Sequence, residues 1–438
     1  MKPRLGIFAV YEPPEEGWQD YEEKLRQIGA DLQSEGLEVL AAPEPVKDAA
    51  SCERVAGWLA AQDLDLLHAL IVTWSFDHYT VRIQQAARKP VAIRTVPGIR
   101  TGSIVGGQQL QSVLYDLEIE HRLFYGAAGS TETARQTAVY ARACALRNRL
   151  LGAKIAVIGR RTEGMTPTTV DEMEVLRLFG VRLLNYGLDE FQSLTQQISQ
   201  AEAEAEWERI ASGAKAVTSR REHGVANARS LLTLRRMVKD LDLQAVSIGS
   251  YPQCQGTMCL SIALLNEEGV PTGCEGDVNS TLAIYLLSQL CAVPVHFGEM
   301  LAVDFAENSI VTSHCGCGSP ALADEGGYVL CPVRLANDGV CIRYTARPGP
   351  VTFVNLTGRK GNYRMCAFEG EAVPTGMVFE GTPLKLVTHT PLSQVWQAVT
   401  AGGYGHHWMT AYTHAAAELK EFCRLVGIQG SFPDLDQR

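Results

Sequence analysis

The chain opens with short apolar runs that alternate with amphipathic stretches. Residues 4–10 (RLGIFAV) are apolar, and residues 18–35 follow with one polar and one apolar face. Further apolar runs lie at 37–41, 66–73 and 91–95. A long helix is predicted over 131–151, with Ser130 or Thr131 as its cap and Gly152 as its stop. Strands alternating with helices predict a parallel sheet covered on both faces, so we expect an N-terminal α/β domain over residues 1–150.

The same alternation restarts after residue 152. Residues 154–159 (KIAVIG) indicate a buried strand, and a helix is predicted over 169–179. The pattern then predicts a strand at 181–184, helical stretches at 189–212 and 226–240, a strand at 244–249, and helices at 256–267 and 278–291. We therefore expect a second α/β domain over residues 151–292, so that the chain begins with two Rossmann-like parallel-sheet units.

The pattern changes after about residue 293. Short strand-like runs follow, separated by glycine, proline and asparagine, at 309–312, 328–330, 340–345, 351–356, 363–368 and 384–388. Such spacing is typical of an antiparallel sheet or barrel. A helix is predicted to close the chain over 409–426. We expect a C-terminal β-rich domain over residues 293–438.

Composition and charge exclude several classes of protein. A net charge of −10 argues against a nucleic-acid partner, because that binding needs a basic surface. The apolar stretch 281–297 is interrupted by Ser288, Gln289 and Pro294, so no membrane span is expected. The six apolar residues 5–10 are too few for a signal-peptide core. We predict a cytoplasmic protein.

The 12 cysteines are scattered without the spacing of a disulfide framework, which fits a reducing compartment. Cys315 and Cys317 beside His314 are compatible with a fragment of a zinc site, but a structural site needs four ligands, usually with CxxC spacing, and no CxxC pair accompanies them. The alternative is small thiols in a glycine-rich turn.

Candidate chemistry lies in three distant stretches, 273–277 (GCEGD), 296–299 (HFGE) and 406–414 (HHWMTAYTH). Carboxylate oxygens and neutral imidazoles are the ligands of exchangeable divalent ions of the manganese type. An ion held in this way beside spare carboxylates polarises a carbonyl and assists proton transfer at the neighbouring carbon. The three stretches together predict proton-transfer chemistry on a small, oxygen-rich substrate.

Each acid has a structural alternative. Glu275 lies just before a predicted helix, where an acid can also serve as a cap, and Asp277 is the better placed of the two for capping. Glu299 follows an apolar strand, with Asp304 and Glu307 as nearby alternatives, and Glu307 is interpreted as a surface group.

The histidines also have alternatives. His314 lies at a strand end, where solvation or a hydrogen bond to backbone is as common as ligation. His406 and His407 follow a glycine hinge at 402–405, a position typical of functional loops. His414 is expected inside the closing helix, packed there or supporting the site.

In their order and spacing, these motifs resemble the L-fucose isomerase/L-arabinose isomerase family. The resemblance rests on 275–277 (EGD), 296–299 (HFGE) and His407 with Tyr412 and His414. The Ser313-His314 turn is similar to the arabinose isomerase version, and 356–365 (LTGRKGNYRM) is similar to the family's C-terminal strand-loop-strand. The match in motif order covers about residues 270–438.

The resemblance implies a fold, a cofactor and a reaction. The family has two Rossmann-like domains and a C-terminal β-barrel-containing domain, and it forms hexamers or related assemblies, so a homo-oligomer of trimeric or hexameric order is expected. Members use Mn²⁺ or a similar ion such as Mg²⁺ or Co²⁺ to interconvert aldoses and ketoses. The implied metal ligands are Glu275, Glu299 and His407, with His314 added in the arabinose-type pattern.

The implied mechanism is proton transfer through a cis-enediol, with Glu275 and Glu299 as the acid–base pair. Trp408, Tyr404 and Trp74 are candidate contacts for the sugar face, with core or interface packing as the alternative. The chain is shorter than typical fucose isomerases, so its substrate is expected to differ. The competing functions are a metal-dependent epimerase or lyase on the same scaffold and a non-catalytic sugar-binding module.

Overall fold

The computed structural model describes residues 2–334, 336–359 and 361–436. Its contacts divide the chain into two compact units, Met1–Arg149 and Leu150–Arg438, and each is described by itself. The division into three domains stays a prediction. Lys360, part of the strand-loop-strand motif, lies outside the described residues.

The first unit is a parallel sheet with strand order β2-β1-β3-β4-β5. Its strands are β1 (Arg4–Val10), β2 (Glu38–Ala41), β3 (Leu66–Ile71), β4 (Val91–Thr95) and β5 (His121–Tyr125). Its helices are α1 (Tyr21–Ser34), α2 (Ala49–Ala60), α3 (Asp77–Ala87), α4 (Ser103–Asp116) and α5 (Thr131–Leu150). Strands β3 and β4 are buried at every residue, which explains why they appear in the sequence as unbroken apolar runs.

The second unit begins with a four-stranded parallel sheet of order β10-β9-β6-β7. Its strands are β6 (Lys154–Ile158), β7 (Arg182–Tyr186), β9 (Ala245–Ile248) and β10 (Thr272–Gly273), and the short β8 (Ala216–Val217) pairs elsewhere. The helices are α6 (Glu172–Phe179), α7 (Leu188–Thr195), α8 (Gln200–Ser212), α9 (Arg221–Leu241), α10 (Cys259–Glu267) and α11 (Val278–Leu290). Short 3-10 helices lie at Thr166–Thr168 and Pro320–Leu322.

The rest of the second unit is dominated by a mixed seven-stranded sheet of order β15-β18-β11-β12-β17-β16-β19, in which β15 also pairs with β16. Its strands are β11 (His296–Asp304), β12 (Ser309–Ser313), β15 (Gly349–Thr357), β16 (Arg364–Val373), β17 (Leu384–Thr388), β18 (His407–Ala411) and β19 (Gln429–Ser431). A separate three-stranded sheet has the order β14-β13-β8, with β13 (Val329–Val333) between β14 (Asp338–Arg343) and β8. The helices of this part are α12 (Leu392–Gly402) and α13 (Ala416–Val426). The predicted α/β class with parallel sheets is confirmed.

Two element predictions were wrong. The stretch 189–212 is broken into α7 and α8, because Ser199 accepts a hydrogen bond from the Glu202 N–H and caps a new helix. The closing helix begins at Ala416, since β18 pairs with both β11 and β15 and is therefore held as a strand. His414 thus lies before the helix; it is exposed and its ring contacts that of His389.

In the described part of the chain, every helix is too short or too polar to cross a bilayer.

Candidate active site

Glu275 lies on the loop between β10 and α11, at the carboxyl edge of the parallel sheet. Its backbone has φ of 61°, a left-handed conformation that is uncommon for a residue other than glycine. The loop is held by hydrogen bonds from the Gly276 N–H to the Ile248 carbonyl, at 2.9 Å, and from the Thr162 N–H to the Glu275 carbonyl, at 3.4 Å. Glu275 is only 7% exposed, so a strained backbone holds a carboxylate inside the protein.

His407 joins two carboxylates that lie far away in the sequence. Its Nε2 is 3.0 Å from Glu275 Oε2, and its Nδ1 is 2.8 Å from Asp277 Oδ2. Asp277 also caps α11, because its side chain accepts hydrogen bonds from the Ser280 N–H at 3.1 Å and the Ser280 hydroxyl at 2.6 Å. The capping alternative therefore describes Asp277, which in addition fixes the orientation of the His407 ring.

Burial and charge set the protonation of this trio. Burial raises the pKa of Glu275, but the hydrogen bond from His407 and the nearby His314 outweigh it, so the pKa lies below its ordinary value. Burial lowers the pKa of His407, but the hydrogen bonds to Asp277 and Glu275 reverse the effect and raise that pKa to about 9. In the metal-free chain, Glu275 is therefore a carboxylate held by an imidazolium.

The pairing of β11 with β18 brings the second acid to the same place. Glu299 and His407 are directly opposite each other in this antiparallel register, so their side chains share one face of the sheet. His406 Nε2 lies 4.0 Å from Glu299 Oε1, and both side chains are partly exposed, at 37% and 36%. Burial and the charge of His407 lower the pKa of His406, which favours the neutral form that a metal requires.

His314 follows β12 and reaches the site from a third direction. Its Nε2 lies 3.9 Å from Glu275 Oε1, and its side chain is buried. The Phe297 ring packs against both histidines, with centroid distances of 4.8 Å to His314 and 4.7 Å to His407. The two imidazoles also lie edge to face with each other, with centroids 6.2 Å apart, and both approach Glu275.

Asn355 on β15 holds the segment that leads into β18. Its amide donates to the His407 carbonyl at 2.6 Å and to the Gly405 carbonyl at 3.0 Å. The hydrogen bonds fix the glycine hinge before His407 and its neighbour His406. Sequence reasoning did not single out Asn355, because a lone asparagine in an apolar strand carries no recognisable motif.

The three candidate sugar contacts differ in their surroundings. Trp408 is 2% exposed and stacks on Phe353, with ring centroids 4.9 Å apart, which is the packing that the alternative predicted. Tyr404 is partly exposed, and its hydroxyl donates to the Met365 carbonyl at 3.2 Å. Trp74 belongs to the first unit, where its indole N–H donates to Gln109 at 3.1 Å.

Two neighbouring cavities open beside the histidines within the second unit. A narrow cleft is lined by Asp277, His406 and His407, among others. A larger cavity of 420 Å³ is lined by Arg359, Arg364 and Tyr404 with neighbouring backbone. The two cavities share Pro167, Thr357 and Gly405 as lining residues, so a ligand in the larger cavity lies close to the histidine pair.

The donor set is compatible with a divalent metal ion. Ligand atoms of Glu275, His406 and His407 all lie within 4.8 Å of one another. The Asp277 carboxylate contacts His407 Nδ1, the ring nitrogen that does not face Glu275. Such a contact orients metal-binding histidines in proteins. His406 was not among the predicted ligands, although its place beside His407 on the hinge was a signal for it.

No protein-family model matches the chain, but several individual proteins do. A sulfoquinovose isomerase of Priestia aryabhattai is 22% identical over 405 residues, which cover 89% of this chain and 90% of that protein. A sulfoquinovose isomerase of Clostridium sp. (strain MSTE9) is 25% identical and covers 76% of each chain. An L-arabinose isomerase of Nocardioides sp. (strain ATCC BAA-499 / JS614) is 22% identical over 76% of this chain and 70% of that protein. The resemblance predicted from the motifs is confirmed.

Proposed function

We propose that this chain, an aldose–ketose isomerase related to the L-fucose and L-arabinose isomerases, works with a bound divalent metal ion and transfers a proton through a cis-enediol. The observation that carries the proposal is the buried contact of Glu275 and Asp277 with the two nitrogens of His407. A sugar-binding module needs no such strained, buried acid, and this favours a catalytic role.

The residues proposed to hold the ion are Glu275, Glu299 and His407, with His314 in the arabinose-type pattern and His406 added from the geometry. Oxygen and imidazole donors without thiolates suit Mn²⁺ or another divalent ion such as Mg²⁺ or Co²⁺. When bound, such an ion polarises the sugar carbonyl and stabilises negative charge on its oxygen.

The chain's own groups are proposed to move the proton. Glu275 or Glu299 takes the proton from the carbon next to the carbonyl, and the carboxyl group, whose proton exchanges with water, then delivers a proton to the neighbouring carbon. Glu275 suits the role of base because its lowered pKa keeps it ionised at neutral pH. Asp277 acts as a positioning residue that holds the His407 ring through Nδ1.

We propose a sugar with an anionic tail, such as a sulfonated hexose, as the substrate. The sulfoquinovose isomerases among the relatives suggest it, and the 420 Å³ cavity supports it with two arginines in its lining. Arg364 donates to the Gly402 and Gly403 carbonyls, whereas Arg359 is exposed. Arg359 is therefore the proposed contact for the anion, and Tyr404 a contact for the ring. A fucose- or arabinose-like free sugar is the alternative.

Three further features are proposed from the family. The cycle of pairings in which β15 contacts both β16 and β18 supports a C-terminal β-barrel. A trimeric or hexameric homo-oligomer is expected because closed symmetric assemblies predominate among soluble proteins. Cysteines without framework spacing support a cytoplasmic location.

The test is a panel of aldoses and ketoses incubated with chelator-treated protein, with and without added Mn²⁺. Ketose formation is measured, and the panel pairs sulfonated hexoses with their unmodified parents. We expect metal-dependent turnover that is fastest on a sulfonated sugar. Turnover of the unmodified sugars alone would overturn the substrate assignment, and no turnover of any sugar in the presence of metal would overturn the proposed reaction.

A further inference from the structure

Three thiols, two of them buried, lie around the ring nitrogen of His314 that faces away from Glu275. Cys274 comes from the loop between β10 and α11, whereas Cys315 and Cys317 come from the turn after β12. Cys274, Cys317 and His314 are 1%, 2% and 3% exposed. These side chains therefore meet inside the second unit from segments about forty residues apart in the printed sequence.

The atoms of the cluster are spaced as the ligands of one small ion would be. Cys317 Sγ lies 3.3 Å and Cys315 Sγ 3.5 Å from His314 Nδ1. The ligand atoms of Cys274, His314 and Cys317 all lie within 4.8 Å of one another. Zinc bonds of about 2.0–2.3 Å in a tetrahedron set neighbouring ligand atoms roughly 3.5–3.8 Å apart, so only small side-chain movements separate the cluster from a bound state.

Gly316 lets both thiols reach the same nitrogen. Its φ is 122°, and an added Cβ would lie only 2.5 Å from the Cβ of Cys341. Another residue would therefore meet both backbone strain and a clash at this point. Glycine at this position therefore maintains the turn that places Cys315 and Cys317 beside His314 Nδ1.

We propose that Cys274, Cys317 and His314 Nδ1 form a second metal site, for a soft divalent ion such as Zn²⁺. Thiolate ligands select softer ions than the carboxylate and imidazole donors around Glu275, so the two sites discriminate by chemistry. The CxC spacing gave only a fragment of this site, because Cys274 is contributed by a loop distant in sequence.

His314 couples the two sites, and this consequence rests on the proposed function. A neutral imidazole has one lone pair, so an ion on Nδ1 leaves the proton on Nε2. Nε2 is the atom that faces Glu275 Oε1 at 3.9 Å. A filled thiol site therefore removes His314 from the arabinose-type ligand set, and Zn²⁺ is expected to lower the Mn²⁺-activated rate.

The site itself is tested without any measurement of activity. Reduced, chelator-treated full-length chain is titrated with Co²⁺, because Co²⁺–thiolate bonds give an intense near-ultraviolet charge-transfer absorption that oxygen and nitrogen ligands lack. We expect one equivalent of Co²⁺ to produce this band in the wild type. Binding of Co²⁺ without the band in the wild type would overturn the proposal, whatever the variants do.

Variants then assign the ligands. Cys274→Ser and Cys317→Ser should each weaken the Co²⁺ affinity read from the band at least tenfold, whereas the matched control Cys291→Ser, a half-buried cysteine outside the cluster, should not. His407→Ala should keep the band, since it removes only the other site. Survival of the band at unchanged affinity in a folded Cys274→Ser, Cys317→Ser double variant would overturn the assignment, with folding checked by circular dichroism.

The coupling has a separate readout. Addition of Zn²⁺ to the Mn²⁺-activated wild type should lower ketose formation, and Cys317→Ser should resist that inhibition. An unchanged wild-type rate with the thiol site filled would overturn the coupling through His314. If no sugar is turned over at all, the proposed function fails while the Co²⁺ titration still decides whether the thiol site exists.

Discussion

Replacing Glu275 by glutamine is the most informative single change in this chain. The substitution preserves the shape of the side chain and removes its charge and its basic oxygen. Glu275 is 7% exposed, its Oε2 lies 3.0 Å from His407 Nε2, and its backbone is held in a left-handed conformation. Neighbouring backbone fixes the loop that carries the side chain, so the substitution should leave the loop in place. The functions that it removes are therefore those of a proposed ligand and a proposed base.

The size of the effect follows from these roles. A positioned acid–base group contributes about 10²–10⁴ in rate, and a lost charge-assisted hydrogen bond adds to the loss. We therefore expect kcat/KM to fall by about 10³-fold or more, equivalent to roughly 4 kcal/mol of transition-state stabilisation. Glu299→Gln should show a loss of similar size, since Glu299 lies opposite His407 in the β11–β18 register.

The assay is initial-rate ketose formation from the best aldose at saturating Mn²⁺, with metal content measured on each protein. The matched control is Glu307→Gln, a surface acid 59% exposed that pairs with Lys385. Exposed ion pairs contribute about 0–1 kcal/mol to stability, so this variant should keep its rate. A folded Glu275→Gln protein that turns over sugar at close to the wild-type rate would refute the assignment of Glu275.

Four further predictions follow from the same geometry. His407→Ala should mainly weaken Mn²⁺ affinity, so excess Mn²⁺ should restore part of its activity, and a loss that no Mn²⁺ concentration restores would contradict the ligand role. In the metal-free chain, the pKa of His407 is raised to about 9 from an ordinary value near 6.5. Its contribution to stability is thus complete below pH about 6.5 and lost as the pH rises through about 9. Urea denaturation of the chelator-treated protein should therefore give a smaller free energy of unfolding at pH 9.5 than at pH 6.5. His407→Ala should diminish that difference. Arg359→Ala should raise KM for a sulfonated sugar at least tenfold and leave KM for its uncharged parent unchanged; equal effects on both would contradict anion recognition. Light scattering should give a trimeric or hexameric mass, and a 47.7 kDa monomer at working concentration would contradict the expected assembly.

Strands that form clear apolar runs could be predicted from the sequence. The runs at 4–10, 91–95 and 384–388 coincide with strands β1, β4 and β17 residue for residue. The run at 407–411 (HWMTA) was different, because β18 is buried at every residue yet contains the polar His407 and Thr410, so it is neither an unbroken apolar run nor an alternating one. Its pairing with β11 and β15 decides its conformation, and pairing between distant segments is not visible in a local pattern.

The candidate site residues that could be predicted from the sequence are those that belong to recognisable motifs. Glu275, Glu299 and His407 stood out by the chemistry and spacing of their motifs. The contact of His407 with Asp277 spans 130 residues, and it gives a capping acid a second role that the local sequence does not reveal. Asn355 could not be predicted for the same reason, since its role is a hydrogen bond to the distant His407 carbonyl.

The central claim is metal-dependent proton transfer, and isomerisation in D₂O tests it most directly. Chelator-treated protein is incubated with the best aldose in D₂O, with and without Mn²⁺, and the ketose is analysed by mass spectrometry after quenching. We predict that ketose forms only with the metal and carries deuterium from the solvent, because a carboxylate proton exchanges with water. Ketose that forms equally fast without metal, or that carries no solvent deuterium, would contradict the account.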